Sequence, residues 1–437
     1  MLLVLDCLLL VFAFGFFFYF KDKYLGIFEY RFFLLFNILL TLTVGAILAP
    51  YFRDANAVLR MVSESNFLLG KLIILGACIC YWVIDFAFDN VERKFLSPSA
   101  VYCSDHRFYL AQVLALLSLG LVISAYGFPQ LRLFADLSAG ELAYFRIEKI
   151  HNSALVSSLF KNVLGFNLSV LLSYYFFTVY LFHRRRTQLL YFMVFLAASF
   201  YFCTLDLSKS KLALYLLGLM AIKFNVYEVT SQKQVSLKYV GLAFFALTVL
   251  VLWMFALTIP GVEWVKILEY ATQRLLVNQI AAYFAVIELL LNAPDVLDGV
   301  DPFYYYFGEQ LRLVSFMAPG QFLTSIIYPE LFYSGRMNYL STFNVADLLM
   351  IFGFGGLLLM PLIFVVIRLS VLLRRSLADV GLGMPLAVYF LVGSNFTSSA
   401  LPFFFSVSAL LPVLVLLLHL RRIRLNIVAD GTSSQPA

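Results

Sequence analysis

Arg274 opens the stretch Arg-Leu-Leu-Val-Asn-Gln-Ile-Ala-Ala-Tyr-Phe, which is apolar enough for a membrane yet begins with a permanent charge. A guanidinium in such surroundings is costly unless an anion pairs with it. Asn278 follows one helical turn later, and Gln279 and Tyr283 extend the same stretch. Other cations recur at suggestive spacings. Arg146 and Lys149 are three apart and share a face of any helix. Lys209 and Lys211 sit in Leu-Ser-Lys-Ser-Lys-Leu, a turn so short that both belong at the lip of a helical bundle. Cations converging from separate helices suit a diphosphate, because Arg offers a bidentate fork and Lys a point charge.

Two carboxylates stand near these groups in the sequence. Asp347 lies one helical turn after Asn344, and Glu309 precedes Arg312 by three. Either acid is a candidate proton acceptor. Each also has a plainer reading: Asp347 as a helix N-terminal acid stabilised by the dipole, and Glu309 with Arg312 as an intrahelical pair. Arg132, Lys161 and Arg336 read as solvated or snorkelling side chains. His106, His151, His183 and His419 are scattered, and no His/Cys/Asp cluster has metal-ligand spacing. There is no GxSxG, no phosphate-binding glycine loop and no Rossmann fingerprint, so neither metal nor cofactor is expected.

The elements that must position these residues are membrane helices. The chain is 62% hydrophobic and 13% charged, whereas a soluble protein carries roughly 25% charged residues. Its mean hydropathy is +0.91. Apolar runs near the roughly 20 residues that cross hydrocarbon fall at about 2–20, 32–51, 67–89, 108–127, 162–182, 189–205, 212–228, 239–259, 344–367, 383–396 and 400–420. The expected fold is therefore all-α, a single polytopic membrane domain over 1–428 with about eleven helices, followed by a disordered cytoplasmic tail at 429–437. Met1–Phe20 lacks a basic leader and a small-residue cleavage site, so it reads as the first span instead of a signal peptide.

This order puts Lys21-Asp22-Lys23, Glu92-Arg93-Lys94, Arg184-Arg185-Arg186, Lys233 and Lys238, Arg374-Arg375 and Arg421-Arg422 on one side, which the positive-inside rule makes the cytoplasm. The N-terminus then faces outward and the C-terminus inward. The net charge of +6 is thus topological and needs no nucleic acid partner. Four of the five cysteines lie in apolar runs and Cys103 in an inner loop, so no disulfide framework is implied. Outer loops remain at 128–161 and 260–343. The second is too long to be structureless. Its apolar stretch 275–291 cannot span without inverting every downstream charge cluster, so it is expected to lie in the interface or buried against the bundle.

With these residues placed, the chain resembles the Wzy-type oligosaccharide repeat-unit polymerases of bacterial O-antigen and capsule assembly. The likeness rests on Tyr144-Phe145-Arg146 ahead of a span, Arg274-x4-Gln279-x3-Tyr283, and Asn344-Val-Ala-Asp347 followed by Phe352-Gly353-Phe354-Gly355-Gly356. The turn Ser208-Lys209-Ser210-Lys211 departs from the Ser-Arg-Gly-like turn of many relatives. The resemblance implies a multi-pass protein of the bacterial inner membrane. It implies transfer of a glycan from undecaprenyl diphosphate onto the next lipid-linked repeat unit at the periplasmic face, with a chain-length regulator as a further partner. O-antigen ligase and lipid-linked oligosaccharide flippase are the alternatives. The ligase family carries a functional His in its large outer loop, and 260–343 has none.

Overall fold

The structure, a computed structural model, describes residues 2–23, 40–95, 107–130, 156–157, 159–205, 209–231, 237–258, 263–273, 277–297, 319–333, 344–362, 365, 382–396 and 410–418. Among them every regular element is helical and no strand occurs. Five segments are long and apolar enough to cross a bilayer: Glu64–Phe88, Tyr109–Tyr126, Leu159–His183, Arg186–Thr204 and Val345–Leu362. The protein is thus an all-helical membrane protein.

The principal helices among the described residues are α1 (Leu2–Lys23), α2 (Glu64–Phe95), α3 (Tyr109–Tyr126), α4 (Leu168–His183), α5 (Arg186–Thr204), α6 (Lys209–Ser231), α7 (Leu237–Thr258), α8 (Trp264–Thr272), α9 (Asn278–Asn292), α10 (Asn344–Phe352) and α11 (Gly383–Phe396). A π-helical stretch, Leu159–Asn167, leads into α4. Residues 40–52 pass through a π turn, one α turn and a 3-10 turn beginning at Ala49-Pro50, where the proline fits the first turn of a helix.

Two cores organise the bundle. The first gathers α9 and α10 with α2, the 40–49 segment and Leu9 of α1. The second gathers α3, α4, α5 and α11. Helix α6 divides them, giving Leu217 to the first core and Tyr215, Ala221 and Ile222 to the second. Since lipid is as apolar as Leu, the second core is joined by ring packing and shared hydroxyls. Ser173 Oγ and the Tyr215 hydroxyl are 2.5 Å apart, and the Tyr174 hydroxyl donates to the Tyr215 carbonyl at 3.1 Å. Phe176 stacks on Phe195 with centroids 5.7 Å apart, tying α4 to α5.

Two elements are not plain spans, the first of them buried against the bundle, one of the two placements expected of it. Helix α9 is not amphipathic: Ile280 to Ile287 are all buried, so it sits inside the bundle and not along its surface. The 344–367 run is also not one straight helix. Gly353 has φ +58°, a left-handed conformation that glycine adopts without penalty, and it ends α10. The 3-10 segment Gly353–Leu359 then folds back so closely that a Cβ on Gly356 would strike the Leu348 backbone. In a straight helix those two residues would be about 12 Å apart along the axis. Length and apolarity qualify 345–362 as a span, but the backbone is that of a broken helix. Such breaks are tolerated at membrane depth where the freed backbone is covered by protein.

Candidate functional site

The residues between the second and third apolar runs, which the sequence assigns outward, form a polar seam with the ends of α9. Asn56 caps the short helix Ala57–Arg60, its Oδ1 accepting from Val58 N at 3.0 Å and Leu59 N at 3.4 Å. Its other side-chain atom, Nδ2, donates to Asn278 Oδ1 at 2.9 Å. Just before α9, Gln273 Nε2 donates to the Ala55 carbonyl at 3.3 Å. Gln273 and Asn278, which lie on either side of Arg274 in the chain, are thus moored to the adjacent residues Ala55 and Asn56 of the neighbouring loop. Both stretches must lie at one end of the bundle, in keeping with their common side in the sequence reading.

At the far end of α9, Glu288 closes the seam. Its Oε2 accepts from Ser63 N at 2.8 Å and Asn66 Nδ2 at 2.7 Å, and its Oε1 from Asn292 Nδ2 at 2.5 Å. Ser63 begins α2, because its carbonyl receives Asn66 N and Phe67 N, so the carboxylate sits where a helix N-terminus favours an anion. Partial burial pushes the Glu288 carboxyl up, but these hydrogen bonds outweigh it and hold the group below its ordinary value of 4.5. Between the two ends, the Tyr283 hydroxyl donates to the Gly70 carbonyl at 2.7 Å, and the Phe284 ring lies where any Cβ on Gly70 would be. A glycine at 70 is what lets α9 approach α2 this closely.

Helix α10 packs directly on α9 in the same core. Asp347 is fully buried in that contact. The reason is local: α10 is nine residues long and Val345 through Met350 are all buried. Asn278 is half-buried at the seam, and Tyr283 is committed to the α2 backbone. Lys211 belongs elsewhere, at the start of α6 beside the second core, with Nζ 5.6 Å from the centroid of the Phe166 ring. Lys209, Gln279 and Asn344 lie on described helices, but their side chains are outside the described residues. Arg146, Lys149, Arg274, Glu309 and Arg312 are outside them altogether.

Sequence reasoning passed over several charged groups. Arg60 is exposed at the seam, its Nε and Nη2 donating to the Asp54 carbonyl at 2.9 and 2.5 Å. Its signal was a cation in the short 52–66 loop. Inside the bundle, Lys71 Nζ meets Asp6 Oδ1 at 2.5 Å, with the Lys71 side chain 1% exposed. A lysine in an apolar run is a strong signal in its own right. Here its charge is taken up by Asp6, so the pair joins α1 to α2 and leaves no cation for a ligand. Glu288 was hidden in the apolar run it interrupts. Among the described residues no group of three or more His, Cys, Asp or Glu could hold a metal ion. No family model, curated protein or solved structure matches the chain.

Proposed function

We propose that the protein is a polysaccharide polymerase of the bacterial inner membrane, acting at the periplasmic face on oligosaccharide repeat units carried by undecaprenyl diphosphate. The observation that supports this reading is the packing of α9 against α10. The described parts of two of the three segments that carry the resemblance, 277–283 and 345–350, converge in one core, and the 52–66 loop closes over it. The third segment, around Arg146, lies outside the described residues.

In the proposed reaction a hydroxyl of the acceptor unit attacks the anomeric carbon of the donor glycan. The bond from that carbon to the diphosphate oxygen breaks, and the electron pair leaves with the diphosphate. Arg274 and Arg146, supported by Lys149, Lys209 and Arg312, would meet the charge that develops there. Asn278, Gln279 and Asn344 would contact the glycan or headgroup. The acceptor proton would go to a carboxylate, Asp347 or Glu309. The burial of Asp347 means that α10 and its fold-back must shift before a sugar hydroxyl can reach it.

A deletion strain tests this against both alternatives. A polymerase predicts that the lipopolysaccharide ladder collapses to a single attached repeat unit. Loss of every attached repeat would instead indicate a ligase or a flippase.

A further inference from the structure

Helix α8 carries an apolar surface too large for the protein contact it makes. Ile267 and Ala271 are buried against Leu252 and Ala256 at the end of α7. At about 100° per residue, Trp264, Leu268 and Val265 continue the same side of the helix, and they are 65%, 55% and 75% exposed. The opposite side carries Glu263, Lys266 and Glu269, all exposed. An apolar arc that begins on the protein and runs on past it, with charges confined to the other face, is the pattern of a helix lying in a membrane interface.

The neighbouring helix supplies the second argument. On α7, Tyr239, Leu242, Phe245, Val249 and Trp253 are all exposed, a stripe that in a membrane protein faces lipid. The apolar arc of α8 adjoins the end of that helix, and Trp264 is the residue type enriched at headgroup level. We infer that α8 lies on the outer leaflet with Trp264, Val265 and Leu268 in the acyl-chain boundary and its charged side toward water. It thereby fixes the depth at which the chain reaches the seam, since α8 ends at Thr272 and Gln273 is already bonded to Ala55. The inference concerns the bilayer itself and stands independently of the reaction proposed above.

Tryptophan fluorescence tests it, because the chain has only 3 Trp. Full-length protein carrying Trp82→Phe and Trp253→Phe leaves Trp264 as the single reporter. In phosphatidylcholine vesicles its emission should be blue-shifted relative to tryptophan in water. Lipids labelled near the carbonyl end of the acyl chain should quench most of it, lipids labelled near the terminal methyl should quench little, and aqueous iodide should have little effect. Val265→Lys with Leu268→Lys should then shift emission to the red and restore iodide access, both positions being exposed and unneeded for the core. Iodide quenching without lipid quenching would overturn the inference in favour of a water-facing helix. Protection from both quenchers would overturn it in favour of a protein cover such as a second copy of the chain.

Discussion

Lys71 and Asp6 show how a charge can be kept inside an apolar bundle. Lys71, with its side chain 1% exposed, has the Asp6 carboxylate 2.5 Å away, so each buried group is compensated by the other. Removing one partner leaves the other buried and uncompensated, which costs about 3–5 kcal/mol. Lys71→Met alone should therefore sharply lower the amount of folded protein in the membrane. Adding Asp6→Leu should recover much of it. Equal levels in the single and double variants, measured by detergent-stable fluorescence chromatography, would contradict this account of the pair. Asp347 poses a different question at the same scale. As the proton acceptor it would tolerate no amide, so Asp347→Asn should stop elongation by purified protein while lipid-linked donor still binds. As a helix-terminal acid it would be replaced well by Asn. Activity within a few-fold of wild type would move the role to Glu309 or remove the need for a base.

Among the elements, α9 is the one whose position depends most on polar bonds at its ends. The Glu288 carboxyl lies below its ordinary value of 4.5, so its contribution to stability is complete above that value and fades as pH falls through the lower, folded-state value. Glu288→Gln should weaken the hold of α9 on the start of α2 at neutral pH and flatten the acid sensitivity below pH 4.5. Labelling of a cysteine placed at Ser65 reads this out. Identical labelling profiles for wild type and variant across that range would contradict the clasp. Long apolar runs were legible in the sequence, since 67–89, 108–127, 162–182 and 189–205 correspond to helices α2 to α5 with ends moved by a few residues. The burial of α9 was left open between two readings because a helix that is apolar all round has no face to orient it. The break in 344–367 was not legible, because a glycine's φ is set by what folds back against it and not by the residue itself. The seam escaped for a related reason: Asn56 with Asn278, and Asn66 with Glu288, are ordinary polar residues until folding brings each pair together from 222 positions apart.

For the whole molecule, the seam requires that 52–66 and the ends of α9 occupy one end of the bundle. The positive-inside reading makes that end the outward one, which the proposed function takes as periplasmic. Reporters fused after Arg186 and Arg375 should be cytoplasmic, and those within 260–343 periplasmic. Alkaline phosphatase activity at Arg375 would invert the map and remove the outward cations from consideration. Lipid-diphosphate-dependent polymerisation on that face, as proposed, can be followed with purified protein in liposomes supplied with lipid-linked repeat units. Wild type should lengthen the glycan and release lipid diphosphate. Arg146→Ala and Arg274→Ala, present at normal levels, should lose elongation, and Arg274→Lys should recover little because a point charge does not replace a bidentate fork. Absence of elongation by wild-type protein, or wild-type product lengths from both arginine-to-alanine variants, would contradict it.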